Sequence, residues 1–197
     1  MRIGVDIDGV VSDSYPAWLG ELNQYFGKNI TVLKDYEMHL VFDVPCDDMN
    51  NFFVQNVERL FDIPHPMKGA KKGIESLLQD GHEVIYVTAR SQEEEEFTLR
   101  WMEKSSIPYE QVLFSGHKSK VDFVKEWNLE LFIEDYMGNA KAISEHGIPV
   151  LLLDASYNQG KLPQGVIRCQ NWPEILTEIQ KISELLRPQA CSAGNRR

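Results

Sequence analysis

The chain has few cysteines, a deficit of basic side chains and no long apolar segment. Cys46, Cys169 and Cys191 lie far apart in 197 residues and form no CxxC pair, which argues against a disulfide framework or a zinc cluster and fits a reducing cytoplasm. The net charge of −10 disfavours polynucleotides and membranes as partners, because both attract basic surfaces. Asp6 and Asp8 interrupt the N-terminal apolar run that a signal peptide needs, and no run approaches the roughly 18 apolar residues of a membrane span. We therefore expect a cytoplasmic protein. The negative net charge does not exclude an anionic small molecule as a ligand, because a bound divalent cation can make the local charge of a site positive.

Short apolar, β-branched runs alternate with helix-like stretches along the chain. Runs that are apolar on both faces suit a parallel sheet covered by helices on each side, and the alternation predicts right-handed βαβ units. We therefore predict an α/β fold with a doubly wound, Rossmann-like, mainly parallel sheet of five or six strands. The predicted strands are 3–7, 83–87, 112–114, 131–133 and 150–153, with 166–168 as a sixth strand at an edge of the sheet. The predicted helices between and after these strands are 68–79, 92–104, 120–127, 138–145 and 173–186.

The segment after the first strand breaks this alternation. Trp18, Leu22 and Phe26 recur at helical spacing, and 47–57 reads as another helix. An insert of this size needs structure of its own, so we predict a small helical cap. The resulting domains are an α/β core of 1–13 and 67–187, the cap at 14–66, and a disordered tail at 188–197.

The strongest local signal for chemistry is the acidic pair at the end of the first predicted strand. Asp6 and Asp8 precede Gly9, where a turn lets both carboxylates face one site. Two carboxylates this close repel each other, so a cation or a shared proton has to compensate. Mg²⁺ does so with oxygen ligands while it leaves positions for water and a substrate phosphate.

Polar residues also follow three further predicted strands. Hydroxyl and backbone N–H groups at a helix start form a natural phosphate cradle, a lysine supplies a cation, and a second acidic pair supplies metal ligands. Because sites in open parallel sheets form outside the carboxyl ends of the strands, we expect these groups to converge. They are Thr88, Ala89 and Arg90 after the second strand, His117, Lys118 and Lys120 after the third, and Glu134 and Asp135 after the fourth.

These motifs, in this order, resemble the four motifs of the haloacid dehalogenase superfamily across residues 3–155. The insert is similar to a C1-type cap, and the overall pattern resembles the small bacterial 5′(3′)-deoxyribonucleotidase-like nucleotidases. The chain departs from the better-known deoxyribonucleotidases at two places. Thr88-Ala89-Arg90 stands where they have Thr-Ser-Pro, and Glu134-Asp135 stands where they have Asp-Asp.

The resemblance implies roles for individual residues. Asp6 would be the nucleophile that forms an aspartyl-phosphate, and Asp8 would act first as general acid and then as general base. Thr88 and Lys120 would bind the transferring phosphoryl group. Asp135, together with Asp6 and the main-chain carbonyl of Asp8, would hold Mg²⁺. Lys118 is the alternative to Lys120 as the lysine that binds the phosphoryl group.

We therefore expect an Mg²⁺-dependent phosphomonoester hydrolase, with a (deoxy)nucleoside 5′-monophosphate as substrate. Gly9, Ala89, Arg90 and His117 are the predicted substrate contacts near the phosphate, and Trp18 offers an aromatic face to a nucleobase, although most aromatic residues of the insert have to form its core. A sugar phosphate or another small phosphometabolite is the alternative substrate. A non-catalytic receiver-like module is disfavoured, because nothing after the third strand supplies its phosphoacceptor aspartate. The sequence leaves the oligomeric state open.

Overall fold

A six-stranded sheet lies at the centre of the computed structural model, which describes residues 1–116 and 118–186. All neighbouring strands are parallel, in the order β3-β2-β1-β4-β5-β6. This confirms the predicted doubly wound α/β fold, with β6 at an edge. The strand order reverses between β1 and β4, which is where such sheets form a crevice for ligands. The strands are β1 (Arg2–Val5), β2 (Glu83–Thr88), β3 (Gln111–Phe114), β4 (Leu131–Glu134), β5 (Val150–Leu153) and β6 (Val166–Cys169).

Helices cover both faces of the sheet. On one face α4, α5 and α8 pack in one apolar cluster, and on the other face α6 and α7 pack in a second. A short 3₁₀ turn (Gln92–Glu94) precedes α5, and a capping box formed by Ser91 and Glu94 begins it. The helices of these two layers are α4 (Ala70–Gln79), α5 (Glu95–Lys104), α6 (Lys120–Glu126), α7 (Met137–Ser144) and α8 (Trp172–Leu186).

The strands read as continuous apolar runs because both of their faces are buried. In β4, Leu131 and Ile133 point into the first cluster and Phe132 points into the second. The neighbouring β5 alternates in the same way, with Leu151 on one side and Leu152 on the other. Alternate side chains of a strand point to opposite faces, so helices on both sides require apolar residues at every position.

Three helices lie between β1 and α4, in the segment predicted as a cap: α1 (Ser14–Phe26), α2 (Met38–Phe42) and α3 (Cys46–Asp62). They share an apolar cluster of their own. Ion pairs join α3 to α5, with Arg100 Nη1 2.8 Å from a carboxylate oxygen of Glu58 and Lys104 Nζ 2.7 Å from one of Asp62. The role of this segment as a cap, and its limits at 14 and 66, stay predictions.

The first strand is shorter than predicted, ending at Val5 instead of residue 7. The carbonyl of Ile7 accepts hydrogen bonds from the N–H groups of Val10, Val11 and Ser12 at 3.3, 2.9 and 2.8 Å. These local bonds close a turn over residues 7–12 that contains Gly9. Asp8 therefore lies on the turn, whereas Asp6, whose N–H donates to the carbonyl of Ile133 at 3.0 Å, lies just before it.

Two further predictions concern the chain as a whole. Within residues 1–116 and 118–186, no helix is both long and apolar enough to cross a membrane. The disordered tail predicted at 188–197 lies outside the described residues. The cytoplasmic location stays a prediction.

Candidate active site

The carboxyl ends of β1 and β4 and the start of α6 bring a buried cluster of charges together. Lys120 Nζ lies 2.5 Å from Asp6 Oδ2 and 3.0 Å from Glu134 Oε2. These three side chains and Asp135 are almost completely buried, with residue exposures of 4% for Lys120, 6% for Asp6, 0% for Glu134 and 1% for Asp135. The expected convergence at this edge of the sheet therefore occurs for one lysine and three carboxylates.

The start of α6 determines which of the two candidate lysines enters this cluster. Ser119 is the N-cap residue of α6, and its Oγ accepts a hydrogen bond from the N–H of Val121 at 3.2 Å. Lys120, the first helical residue, is turned inward, whereas the side chain of Lys118 is exposed to solvent. Lys120 is thus the lysine that contacts Asp6.

Burial and mutual repulsion set the ionisation of the carboxylates. Burial, followed by the charge of Glu134, holds the pKa of Asp6 well above its usual range despite the nearby ammonium. Burial likewise raises the pKa of Glu134, and burial together with the charge of Asp6 raises the pKa of Asp135 to about 7. Burial alone would favour a neutral Lys120, but Asp6 and Glu134 outweigh it and raise the pKa of its ammonium above the usual value. The cluster holds more negative charge than one ammonium balances.

The same carboxylates have the geometry of a cation site. One oxygen from each of Asp6, Glu134 and Asp135 lies within 4.8 Å of the others. In the described part of the chain, Asp135 Oδ1 is the buried side-chain oxygen or nitrogen that lacks a hydrogen-bond partner. A buried acceptor without a partner is costly, and hard cations such as Mg²⁺ take carboxylate oxygens as ligands. These residues fit a divalent cation.

Two residues that follow β5 hold Asp135 in place. The hydroxyl of Tyr157 donates a short hydrogen bond to Asp135 Oδ2, and Asn158 Nδ2 donates to the main-chain oxygen of Asp135 at 2.7 Å. Sequence reasoning missed both, although the rule that strand ends converge would have found them had it been applied to the end of β5.

Asp8 lies two residues beyond Asp6 but has different partners. Arg90 donates from Nε to Asp8 Oδ2 at 2.9 Å and from Nη2 to Asp8 Oδ1 at 2.7 Å. Ser14 Oγ donates to the same Oδ1 at 2.5 Å. Burial opposes ionisation of Asp8, but the charge and hydrogen bonds of Arg90, helped by Ser14, outweigh it and lower the pKa of Asp8.

The residues at the end of β2 differ in their exposure to solvent. Thr88 is fully buried, and its Oγ1 accepts a hydrogen bond from the N–H of Arg90 at 3.2 Å. Ala89 is exposed and lines a cavity beside Asp6 and Asp8. The main chain of the predicted phosphate cradle is therefore partly engaged in local hydrogen bonds.

Gly9 has a left-handed backbone, with φ of +77°. A β-carbon at this position would overlap the carboxylate of Asp135. The glycine is therefore required for the close approach of the turn to the acidic cluster, and its predicted role as a substrate contact stays a prediction. His117, predicted in the same group, lies outside the described residues.

The cavity beside Asp6 and Asp8 has a volume of about 380 Å³, and both aromatic and acidic residues line it. Trp18 lines it, but its Nε1 donates to the main-chain oxygen of Leu60 at 2.8 Å, and only 7% of the residue is exposed. The ring meets Phe53 edge to face, with centroids 5.3 Å apart. Trp18 thus serves the core of the helical segment and also forms part of the cavity wall. The aromatic residues of the wall are Tyr15, Trp18, Tyr36, Phe53 and Phe61.

Comparison with known proteins agrees with the fold and identifies the family. The family model described as "5' nucleotidase, deoxy (Pyrimidine), cytosolic type C protein" matches residues 1–184. A nucleotidase of Clostridium acetobutylicum is 34% identical over 187 residues, which are 93% of this chain and 96% of that protein.

Two solved structures share the fold. A haloacid dehalogenase-like hydrolase of Streptococcus pneumoniae superposes with a TM-score of 0.68 at 15% identity, covering 91% of this chain and 98% of the other. A hydrolase of the same superfamily from Deinococcus radiodurans, solved with bound phosphate and sodium, has a TM-score of 0.61 at 14% identity, covering 95% and 97%. The chain therefore belongs to the cytosolic type C family of 5′ (deoxy)nucleotidases, phosphatase-type hydrolases built on the haloacid dehalogenase fold.

Proposed function

We propose that this protein hydrolyses (deoxy)nucleoside 5′-monophosphates in an Mg²⁺-dependent reaction that passes through a phosphate ester of Asp6. The contact between Asp6 and the Lys120 ammonium at 2.5 Å carries the proposal, because Asp6 also lines a cavity with several aromatic residues in its wall. It combines a carboxylate nucleophile with a cation that neutralises phosphoryl oxygens. The family match and the nucleotidase relative support the same reaction.

In the first step, an oxygen of Asp6 attacks phosphorus and the ester bond to the leaving group breaks. Lys120 stabilises the charge on the phosphoryl oxygens, and Thr88 is the second predicted phosphoryl contact. The leaving oxygen takes a proton from the carboxyl form of Asp8, a form that Arg90 disfavours. Aryl phosphates, whose leaving groups need that proton less, should therefore react faster than alkyl phosphates in this step.

In the second step, Asp8 accepts a proton from a water molecule, and the resulting hydroxide attacks phosphorus. The acyl-phosphate bond to Asp6 breaks, and inorganic phosphate leaves. Because Arg90 and Ser14 favour the ionised form of Asp8, the resting protein already holds the base that this step needs.

The residues proposed to hold Mg²⁺ are Asp6, Asp135 and the main-chain carbonyl of Asp8, and Lys120 holds Glu134 beside them. The Asp135 oxygen without a partner supports this assignment. When bound, the ion neutralises the non-bridging oxygens of the phosphoryl group.

The aromatic walls of the cavity support a nucleoside as the leaving group. A cavity of about 380 Å³ falls within the size range of small-ligand sites, and a base can stack on any exposed aromatic face. A sugar phosphate lacks the flat apolar surface that such walls accommodate.

The test is a panel of nucleoside monophosphates, sugar phosphates and p-nitrophenyl phosphate, assayed with Mg²⁺ and with EDTA. We expect the wild type to prefer nucleotides to sugar phosphates, EDTA to abolish turnover, and Asp6→Asn to be inactive. Acid-quenched wild type incubated with ³²P-labelled substrate should carry label that Asp6→Asn lacks. Asp80→Asn, an exposed acid at the other end of the sheet, is the matched control and should keep full activity.

Each part of the proposal has its own contrary result. Preference for sugar phosphates would refute the nucleotide assignment, and full activity in EDTA would refute the metal requirement. Turnover by Asp6→Asn, or wild type without activity on any member of the panel, would refute the mechanism.

A further inference from the structure

Arg90 is an unusual residue to find beside Asp8, because its side chain is almost completely buried, although the residue also lines the cavity beside Asp6 and Asp8. Only 3% of its side chain is exposed. Nε and Nη2 bond the two oxygens of Asp8 at 2.9 and 2.7 Å, and Nη1 donates to Thr98 Oγ1 at 3.1 Å. Two parallel N–H···O bonds determine the plane and the rotation of a carboxylate, which one bond does not.

The remaining face of the guanidinium is covered by an aromatic ring from the helical segment. Arg90 Cζ lies 3.8 Å from the ring centroid of Phe61. Phe61 is 5% exposed and sits near the end of α3. A desolvated cation over an aromatic face is a favourable contact, and the flat ring also prevents the guanidinium from rotating out of the plane of Asp8. Thr98, on α5, is itself anchored by donating to the main-chain oxygen of Glu94 at 2.9 Å.

This arrangement directs the paired N–H groups of Arg90 to Asp8. Asp8 occupies the paired N–H groups of Nε and Nη2, and Thr98 occupies one N–H of Nη1. A phosphate could therefore bind Nε and Nη2 as a pair only by displacing Asp8, and two further N–H groups of the five are left for other partners. Lys120 already brings a cation to Asp6, whereas no other described arginine or lysine makes an ion pair with Asp8 within 4 Å.

We propose that Arg90 is a positioning residue: its two-bond contact orients Asp8 towards the reacting phosphoryl group, and the ring of Phe61 holds Arg90 in that pose. The helical segment thereby helps to set the geometry of the proton-transferring group in the core. This inference rests on the proposed function, since it assigns Asp8 the proton transfers of that reaction.

A positioning role and a phosphate-binding role predict different kinetics. For Arg90→Met, kcat should fall by about 100-fold, the lower end of what general acid–base groups contribute. The inhibition constant of inorganic phosphate should stay within about twofold of wild type, because phosphate is bound elsewhere. Arg90→Lys should recover less than about a tenth of the lost kcat, since an ammonium keeps the charge but cannot make the paired bonds.

Phe61→Leu keeps an apolar side chain but removes the ring face. We expect kcat to fall by about three- to tenfold, because the guanidinium of Arg90 is held less firmly without its contact with the ring. KM should be nearly unchanged. The matched control is Arg100→Met, which removes an arginine whose Cζ lies 5.6 Å from the centroid of Phe97 on an exposed surface. That variant should keep the kcat of wild type.

Several results would overturn the proposal. An increase of tenfold or more in the phosphate inhibition constant of Arg90→Met would make Arg90 a phosphate ligand. Full kcat in Arg90→Lys would mean that charge alone suffices, without orientation. A higher KM with unchanged kcat in Phe61→Leu would make the ring a substrate contact.

A second measurement needs no enzymatic activity and separates this inference from the proposed function. In EDTA, a double-mutant cycle of Arg90→Met with Phe61→Leu, followed by urea unfolding, should show coupling of about tenfold in the unfolding equilibrium constant. A parallel cycle of Arg90→Met with Asp8→Asn should also show coupling. If the wild type hydrolyses no phosphomonoester, the proposed function fails. Independently of that result, coupling below about twofold in both cycles would refute the contacts that this inference requires.

Discussion

Replacement of Lys120 by methionine tests the buried charge cluster of Lys120, Asp6 and Glu134. The Lys120 side chain is 3% exposed, and the two carboxylates that it contacts, Asp6 and Glu134, are 9% and 0% exposed at their side chains. Methionine fills similar volume without the charge. The variant would leave two buried carboxylates without their cation, in a place where water cannot replace it.

The size of the effect follows from these distances. At separations of 2.5 and 3.0 Å, the gross attractions are about 7 and 6 kcal/mol with an effective dielectric constant of about 20. The burial of the ammonium offsets several kcal/mol of this attraction, and removal of one partner from a buried ion pair typically costs about 3–5 kcal/mol. We therefore expect Lys120→Met to lower the free energy of unfolding by about 3–5 kcal/mol at pH 7, a large part of the roughly 5–15 kcal/mol of a whole domain.

The assay is urea unfolding in EDTA, followed by circular dichroism, at pH 7 and at pH 5. Because burial already raises the pKa of Asp6 and Glu134, both acids take up protons readily at pH 5 once the ammonium is gone. The deficit of Lys120→Met should therefore be smaller at pH 5 than at pH 7.

Two further variants complete this test. Lys118→Met removes an exposed lysine and should change the free energy of unfolding by less than about 0.5 kcal/mol. Lys120→Met combined with Glu134→Gln should be more stable than Lys120→Met alone, because one uncompensated charge is gone. A cost for Lys120→Met that matches Lys118→Met, or that is the same at both pH values, would refute the reasoning.

Three other properties are open to direct measurement. Burial and the charge of Asp6 raise the pKa of Asp135 to about 7. The metal-free native protein therefore holds a proton on Asp135 that the unfolded chain loses near pH 4. For this reason the free energy of unfolding in EDTA should fall as the pH rises from 4.5 to 7. Asp135→Asn should weaken this pH dependence. A free energy of unfolding that rises with pH in the wild type would contradict the prediction. Gly20→Ala, in an exposed part of α1 with open space around it, should add about 0.5–1 kcal/mol by urea unfolding, whereas Gly73→Ala, which would overlap a tryptophan ring, should destabilise. Burial raises the pKa of Cys169 to about 12, so iodoacetamide should label exposed Cys46 but not Cys169 in native protein, as peptide mass spectrometry would show; equal labelling would refute this.

Much of the core follows from local sequence. Strands such as β5 (Val150–Leu153) consist of continuous apolar, branched residues, because a parallel strand between two helical layers is buried on both faces. The acids and the lysine follow strand ends, and a parallel topology places all of those ends at one edge. For this reason the sequence alone predicted that Asp6, Asp135 and a lysine that follows the third strand would meet.

The helical segment was less predictable. Helix α2 (Met38–Phe42) is five residues long, too short for a periodic pattern to emerge, and it was not predicted. Helix α3 extends to Asp62, five residues beyond the predicted end, where it is stabilised by ion pairs with α5 that no local pattern encodes.

The sequence by itself determined the α/β class, the strand ends that carry polar residues and the chemical type of the site, because those depend on residue periodicity and order. Only the tertiary structure decided which side chains contact each other. It directed Lys120 rather than Lys118 to Asp6, paired Arg90 with Asp8, and brought Tyr157 to Asp135. Each choice depends on side-chain direction, burial and distance between segments far apart in the chain, and these are fixed only when the sheet and its helices have packed.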